Sequence, residues 1–109
     1  MKIWVDDVRP APEGYQWCKS VWRAKSFIRW CDKVSKQAEE IGYISHNKIE
    51  LIDIDHDAGE FASDGGDYIK LLDWLEETGR NYPIHIHSMN PVGVENMRKI
   101  IKRNGWKEV

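Results

Sequence analysis

Three stretches of this 109-residue chain put carboxylates and imidazoles where apolar runs end. Asp6 and Asp7 follow the run 2–5, Asp55, His56 and Asp57 follow the run 49–54, and His85, His87, Ser88 and Asn90 lie in or just after residues 83–86. Nothing structural requires two adjacent carboxylates at the end of an apolar strand. Carboxylates packed together raise each other's pKa and repel, and they persist cheaply only around a cation or a shared proton. Oxygen ligands from several carboxylates suit Mg²⁺, Mn²⁺ or Ca²⁺. Asp53 lies inside its strand and is expected to have a local structural partner. His85 and His87 share one face of a strand; His-x-His supplies only two metal ligands, so His85 reads as a satisfied core histidine. His87, nearer the strand end, suits proton transfer. Asn90-Pro91-Val92-Gly93 leads into a helix N-terminus, which favours an anion, and Arg9 could clamp a phosphate through its planar fork.

The elements that must position these groups alternate. The run 2–5 reads as a buried strand. Residues 8–14, with two prolines and a glycine, are loop with no room for a helix. Tyr15–Cys18 is a second short strand. Ser20 is the expected N-cap of a helix over 21–41, with Ala24, Phe27, Ile28, Cys31, Val34, Ala38 and Ile41 at helical spacing. A clear strand follows at 49–55, a glycine-rich loop at 56–66, and a helix at 67–78 carrying Tyr68, Leu71, Leu72 and Leu75, stopped by Gly79. The strand 83–87, a helix at 94–104 ended by Gly105, and a short strand at 106–109 complete the chain. Alternating strands and helices predict a parallel sheet. Right-handed crossovers gather the strand C-termini on one edge, where ligands of such sheets bind. Three separate segments thus deliver polar residues to one place.

Length and composition fit one domain over residues 1–109. With 41% hydrophobic and 31% charged residues the chain has the make-up of a folded soluble protein. No apolar run approaches the roughly 20 residues of a membrane span, and the early Asp6-Asp7 argues against a signal peptide, so the expected compartment is cytoplasm, without a membrane partner. The net charge of −2 argues against general DNA binding. Arg98, Lys99, Lys102, Arg103 and Lys107 form a basic stretch, read either as a solvated helix face or as an attractor for a phosphorylated ligand. Cys18 and Cys31 lack metal-ligand spacing, and Cys31 reads as a buried thiol.

Asp6-Asp7-Val8-Arg9-Pro10-Ala11-Pro12, Ile54-Asp55-His56-Asp57-Ala58-Gly59 and His85-Ile86-His87-Ser88-Met89-Asn90-Pro91-Val92-Gly93-Val94-Glu95-Asn96-Met97 resemble the cyclic-phosphate processing receiver-like domain family, from residue 2 to about 104. One departure is Ala58, where the family usually has leucine, a change of packing more than of chemistry. The resemblance implies a variant receiver fold: a flavodoxin-like, three-layer α/β sandwich with a parallel sheet of four to five strands, lacking the helix after the first strand. It also implies action on cyclic phosphates of nucleotides or RNA ends. Compared with a phospho-accepting receiver, no clear lysine ends a fifth strand, and the two histidines are foreign to signalling and familiar in hydrolytic sites.

The expected activity is therefore that of a phosphodiesterase-type hydrolase. Asp6, Asp7 and Asp57 would hold a divalent cation, Mg²⁺ or Mn²⁺, or a proton network in its place. His56 and His87, with Asp55, would carry the acid–base chemistry, and Arg9, Ser88 and Asn90 would bind the phosphate oxygens of a small phosphorylated ligand or RNA end. The alternative is a non-catalytic signalling or nucleotide-binding module, taking phosphate on Asp55. An exposed Trp22 or Trp106 would serve pairing into a homodimer.

Overall fold

Alternation along the strands sets the layering. In β1 (Lys2–Val5) Ile3 and Val5 are fully buried, while Lys2 is exposed and Trp4 half-buried, because successive side chains of a strand point to opposite faces. The same parity buries Cys18 of β2 (Tyr15–Cys18), Ile52 and Ile54 of β3 (Leu51–Ile54) and Ile84 of β4 (Ile84–Ile86). In the computed structural model, which describes residues 1–109, these strands form one parallel sheet in the order β2-β1-β3-β4. Register sets Trp4 opposite Trp17 and Asp53, and Asp53 opposite His85. The strand expected at 106–109 is reduced to one parallel bridge between Glu108 and Ile84, which extends the sheet beyond β4.

Three helices flank this sheet. Helix α1 (Val21–Glu40) starts where expected: the Ser20 Oγ accepts the Arg23 N–H at 3.1 Å and donates to Asp64 at 2.6 Å. Its apolar stripe leaves the core earlier than its spacing suggests, and Ile41 is 71% exposed. At about 1.5 Å per residue the helix is some 30 Å long, whereas four-residue strands span roughly 13 Å, so its last turns overshoot the sheet. Helix α2 (Ile69–Glu77) buries Leu71, Leu72 and Leu75. It begins later than expected, and Asp67 turns its carboxylate to the Ala58 N–H at 3.1 Å. Helix α3 (Pro91–Asn104) begins three residues earlier than expected. Asn90 caps it, accepting the Gly93 N–H at 3.0 Å, and Pro91 occupies the first helical position, where its missing N–H costs nothing.

All three helices contribute to one core, and the strand residues in that core all come from one face of the sheet. The connections β2 to β3, β3 to β4 and β4 to Glu108 run the same way across the sheet. Right-handedness therefore sets their helices on the same side. The β1 to β2 connection runs the other way and lies over the opposite face. It is the loop 6–14, without a helix, as the prolines implied. Two indoles pin it: Trp4 Nε1 donates to the Arg9 carbonyl at 2.9 Å, and Trp17 Nε1 to the Asp6 carbonyl at 2.8 Å. The ring of Tyr15 meets Trp4 edge-on, with centroids 6.0 Å apart. The sheet is thus layered unequally, with helices on one face and loop and aromatic side chains on the other.

Trp106, expected to be exposed, is 8% exposed and packs in the core, whereas Trp22 is 57% exposed. Both cysteines are buried free thiols. No helix is long and apolar enough to cross a membrane.

Candidate functional site

Asp6 is the first residue past β1 and takes the parity of Trp4, so it meets the loop-covered face at the strand ends. It is 1% exposed. Its Oδ1 accepts the backbone N–H groups of Val8 at 2.9 Å and Arg9 at 2.8 Å, which bends the chain into the loop. Its Oδ2 lies 2.8 Å from His87 Nε2, and the other ring nitrogen of His87 lies 2.6 Å from Asp53 Oδ1. The indole of Trp4 stacks flat on that imidazole, centroids 3.9 Å apart and planes 4° from parallel. His87 is therefore held by two carboxylates and a ring face. Burial works to lower its pKa, but the hydrogen bonds and charges of Asp53 and Asp6 outweigh that and raise it, favouring the imidazolium. For Asp6, burial pushes upward, and the N–H groups of Arg9 and Val8 together with His87 overcome it and hold the carboxyl below its usual range.

His56 belongs to a second pair. Its Nδ1 lies 2.8 Å from Asp57 Oδ1, and Asn90 Nδ2 donates to the same Asp57 oxygen at 3.3 Å. This bond with His56 is the main reason the Asp57 carboxyl titrates below its usual value. The His56 ring lies against the first turn of α3 at Gly93, where a Cβ would overlap ring carbons; glycine is required there by close approach. The Nε2 of His56 makes no hydrogen bond, and no buried side-chain nitrogen or oxygen lacks a partner, so this nitrogen reaches solvent. Asp7 turns toward the 3₁₀ segment Gly59–Ser63, its carboxylate against Gly59. Burial, and then the charges of Asp6 and Asp55, raise its pKa.

The residues expected at one edge do converge there, in a different grouping. The side chains that offer ligand atoms within 4.8 Å of one another are Asp6, Asp55 and His87. Asp7 and Asp57, expected to share a cation with Asp6, are not in that group: Asp7 faces Gly59, and Asp57 is bound to His56 and Asn90. Asp55 donates its N–H to the Val5 carbonyl at 2.9 Å, and its carboxylate accepts the His56 N–H at 2.7 Å. Ser88 Oγ accepts the Asn90 N–H at 3.1 Å and so shapes the approach to α3. The exposed guanidinium of Arg9 makes no hydrogen bond or ion pair, whereas its backbone ties the loop to Asp6 and Trp4. His85 is satisfied through Nδ1 by the Val109 carbonyl at 2.7 Å.

Two residues of the site went unrecognised as such from sequence. Asp53 shares strand parity with Trp4 and His85, and a charge at a mid-strand position bounded by apolar neighbours was the available signal. Trp4 lies within the run 2–5, which the sequence marks only as a buried strand. Cys18 takes no part, since burial pushes its thiol up to about 12.

No curated protein and no solved structure matches the chain. The family described as the cyclic-phosphate processing receiver domain matches over residues 1–103, nearly the full length. The acidic pair after β1, the Asp-His-Asp after β3 and the histidine after β4 that meet at this sheet edge are thus the strand-end residues of a member of the cyclic-phosphate processing receiver domain family.

Proposed function

We propose that the strand-end site hydrolyses a cyclic phosphodiester. The observation that carries this reading is the division of labour between the histidines. His56 has one nitrogen fixed by Asp57 and the other open to solvent, the arrangement of an oriented general base. His87 has both nitrogens taken by carboxylates. We therefore assign proton transfer to His56 and a holding role to His87, in place of an acid–base pair made of both.

The group Asp6, Asp55 and His87 would hold a divalent cation in place of the proton that His87 Nε2 shares with Asp6, with Asp53 on the far nitrogen keeping the ring oriented toward it. A mixed nitrogen and carboxylate set favours Mn²⁺ over Mg²⁺. When bound, such an ion would neutralise charge on the phosphate oxygens. The chain's own groups do the rest. His56 Nε2 takes a proton from water as its oxygen bonds to phosphorus. The ring P–O bond then breaks, and the released oxygen takes a proton from solvent, leaving a monoester. The N–H of Val92, one of the first-turn donors of α3 that an α-helix leaves without a partner, and the Arg9 guanidinium would face the anion. Lys107 is exposed, and its carbonyl accepts the Ile84 N–H. A lysine engaged with Asp55, which a phospho-switch needs, has no counterpart here.

The test is incubation with nucleoside 2′,3′-cyclic phosphates and with RNA ending in a 2′,3′-cyclic phosphate, with Mn²⁺ and with chelator. A monoester should form, and His56→Ala should slow the reaction by about a hundredfold or more. A wild-type protein inert to these substrates but labelled on Asp55 by a small phosphodonor would establish the signalling-module reading instead.

A further inference from the structure

One groove lies next to this site, lined by none of its aspartates or histidines, and runs away from it along α3. It has a volume of about 600 Å³. Ser88, Met89 and Pro91 line it at the site end, directly after His87 and around the Asn90 cap, and Arg98, Lys99 and Lys102 line it along α3. Glu95 is its one acidic residue. Positions 91, 95, 98, 99 and 102 share one side of the helix, and from Pro91 to Lys102 the helix rises about 16 Å. The groove is therefore a track longer than a single phosphate needs.

Its charge is out of keeping with the rest of the molecule. The chain carries a net −2, yet this wall holds three cations to one acid. Arg98 is engaged by Glu108 at 2.9 Å. Lys99 and Lys102 have no ion pair, although the neighbouring Arg103 pairs with Glu76. At the site end, Met89 is 84% exposed and with Pro91 offers an apolar shelf beside the cations. Unpaired cations at intervals, leading from an apolar shelf at a phosphate site, complement a chain of phosphodiesters with bases more than a lone nucleotide.

We propose that this groove holds the strand leading up to the reacting phosphate, so that the preferred substrate is an oligoribonucleotide with a terminal cyclic phosphate, not a free cyclic nucleotide. The proposal rests on the hydrolase reading for the reacting end, while the groove itself can be tested by binding. Lys99 and Lys102 are specificity residues in this scheme. Two phosphate contacts to a single strand give a salt slope of about −1.4 in log units, or about sevenfold weaker binding between 50 and 200 mM salt.

The experiment uses the full chain, a short single-stranded RNA ending in a 2′,3′-cyclic phosphate, and the matching cyclic mononucleotide. Hydrolysis is followed by KM and kcat, and RNA binding by fluorescence anisotropy with the His56→Ala protein. The RNA should show a KM at least several-fold below the mononucleotide at low salt. That advantage should shrink about sevenfold by 200 mM and collapse toward one in Lys99→Gln/Lys102→Gln, with a melting temperature like wild type. Binding of the RNA should weaken in the double variant by a similar factor. Equal KM values for the two substrates, or a preference indifferent to both salt and the lysines, would overturn the groove and leave the hydrolase reading intact. No cleavage of either substrate, with RNA binding that still depends on Lys99 and Lys102, would remove the hydrolase reading and keep the groove. No cleavage and no lysine-dependent binding would remove both.

Discussion

Two carboxylates hold His87 by both ring nitrogens, and this fixes its charge as well as its place. A folded-state pKa raised above the unfolded value of about 6.5 adds stability that is fully present below that value and is lost as pH rises through the folded one. The lowered Asp6 works in the opposite sense: its contribution is present above about 3.9 and lost as pH falls through its folded value. In chelator, thermal stability should therefore hold through mildly acidic pH and decline once pH passes above the ordinary imidazole range. Melting curves across that range check this. His87→Gln should flatten the alkaline decline, and an undiminished decline in that variant would assign it to another group. The aspartates and histidines past the strand ends were legible because apolar runs do not end in paired carboxylates without cause. Which aspartate meets which histidine was not, since Asp6 and Asp7 differ by one residue and hence by opposite directions out of the strand.

At the scale of elements, the first turn of α3 and the loop after β3 are fitted to each other through Gly93 and His56. In an ordinary helix Gly→Ala adds roughly 0.5–1 kcal/mol of stability. Here the new methyl would meet the His56 ring, and overpacking of this kind costs about 1–3 kcal/mol. Gly93→Ala should thus destabilise the wild-type background and become neutral or stabilising when combined with His56→Ala. Denaturant melts of the two single variants and the double variant measure that coupling, and additive effects would mean the contact is slack. Element types and most boundaries followed from periodicity, the Ser20 cap and the stops at Gly79 and Gly105. The exceptions have local causes. Pro91 reads as a turn until Asn90 is recognised as a cap, and the α1 stripe keeps helical spacing past the end of the short sheet it packs on.

For the molecule as a whole, the absent helix after β1 was legible from Pro10, Pro12 and Gly14. Its consequence for the layers needed the handedness rule, which leaves the face bearing Trp4, Asp53 and His85 beneath a loop. The same feature bears on the order in which the chain assembles. Parallel neighbours are ordinarily joined through a dozen or more residues and commonly a helix, so their pairing comes with a long loop to close. Here Lys2 pairs with Tyr15, while Ile52 pairs with Ile84. Closing the shorter loop costs less chain entropy, and local contacts speed folding. The β1–β2 ribbon, pinned by its two indoles, should already be formed in the folding transition state, with the β4 edge joining later. Chevron analysis should give a φ-value above about one half for Val5→Ala and a much smaller one for Ile84→Val. The reverse ranking would mean that the chain condenses from the helical side.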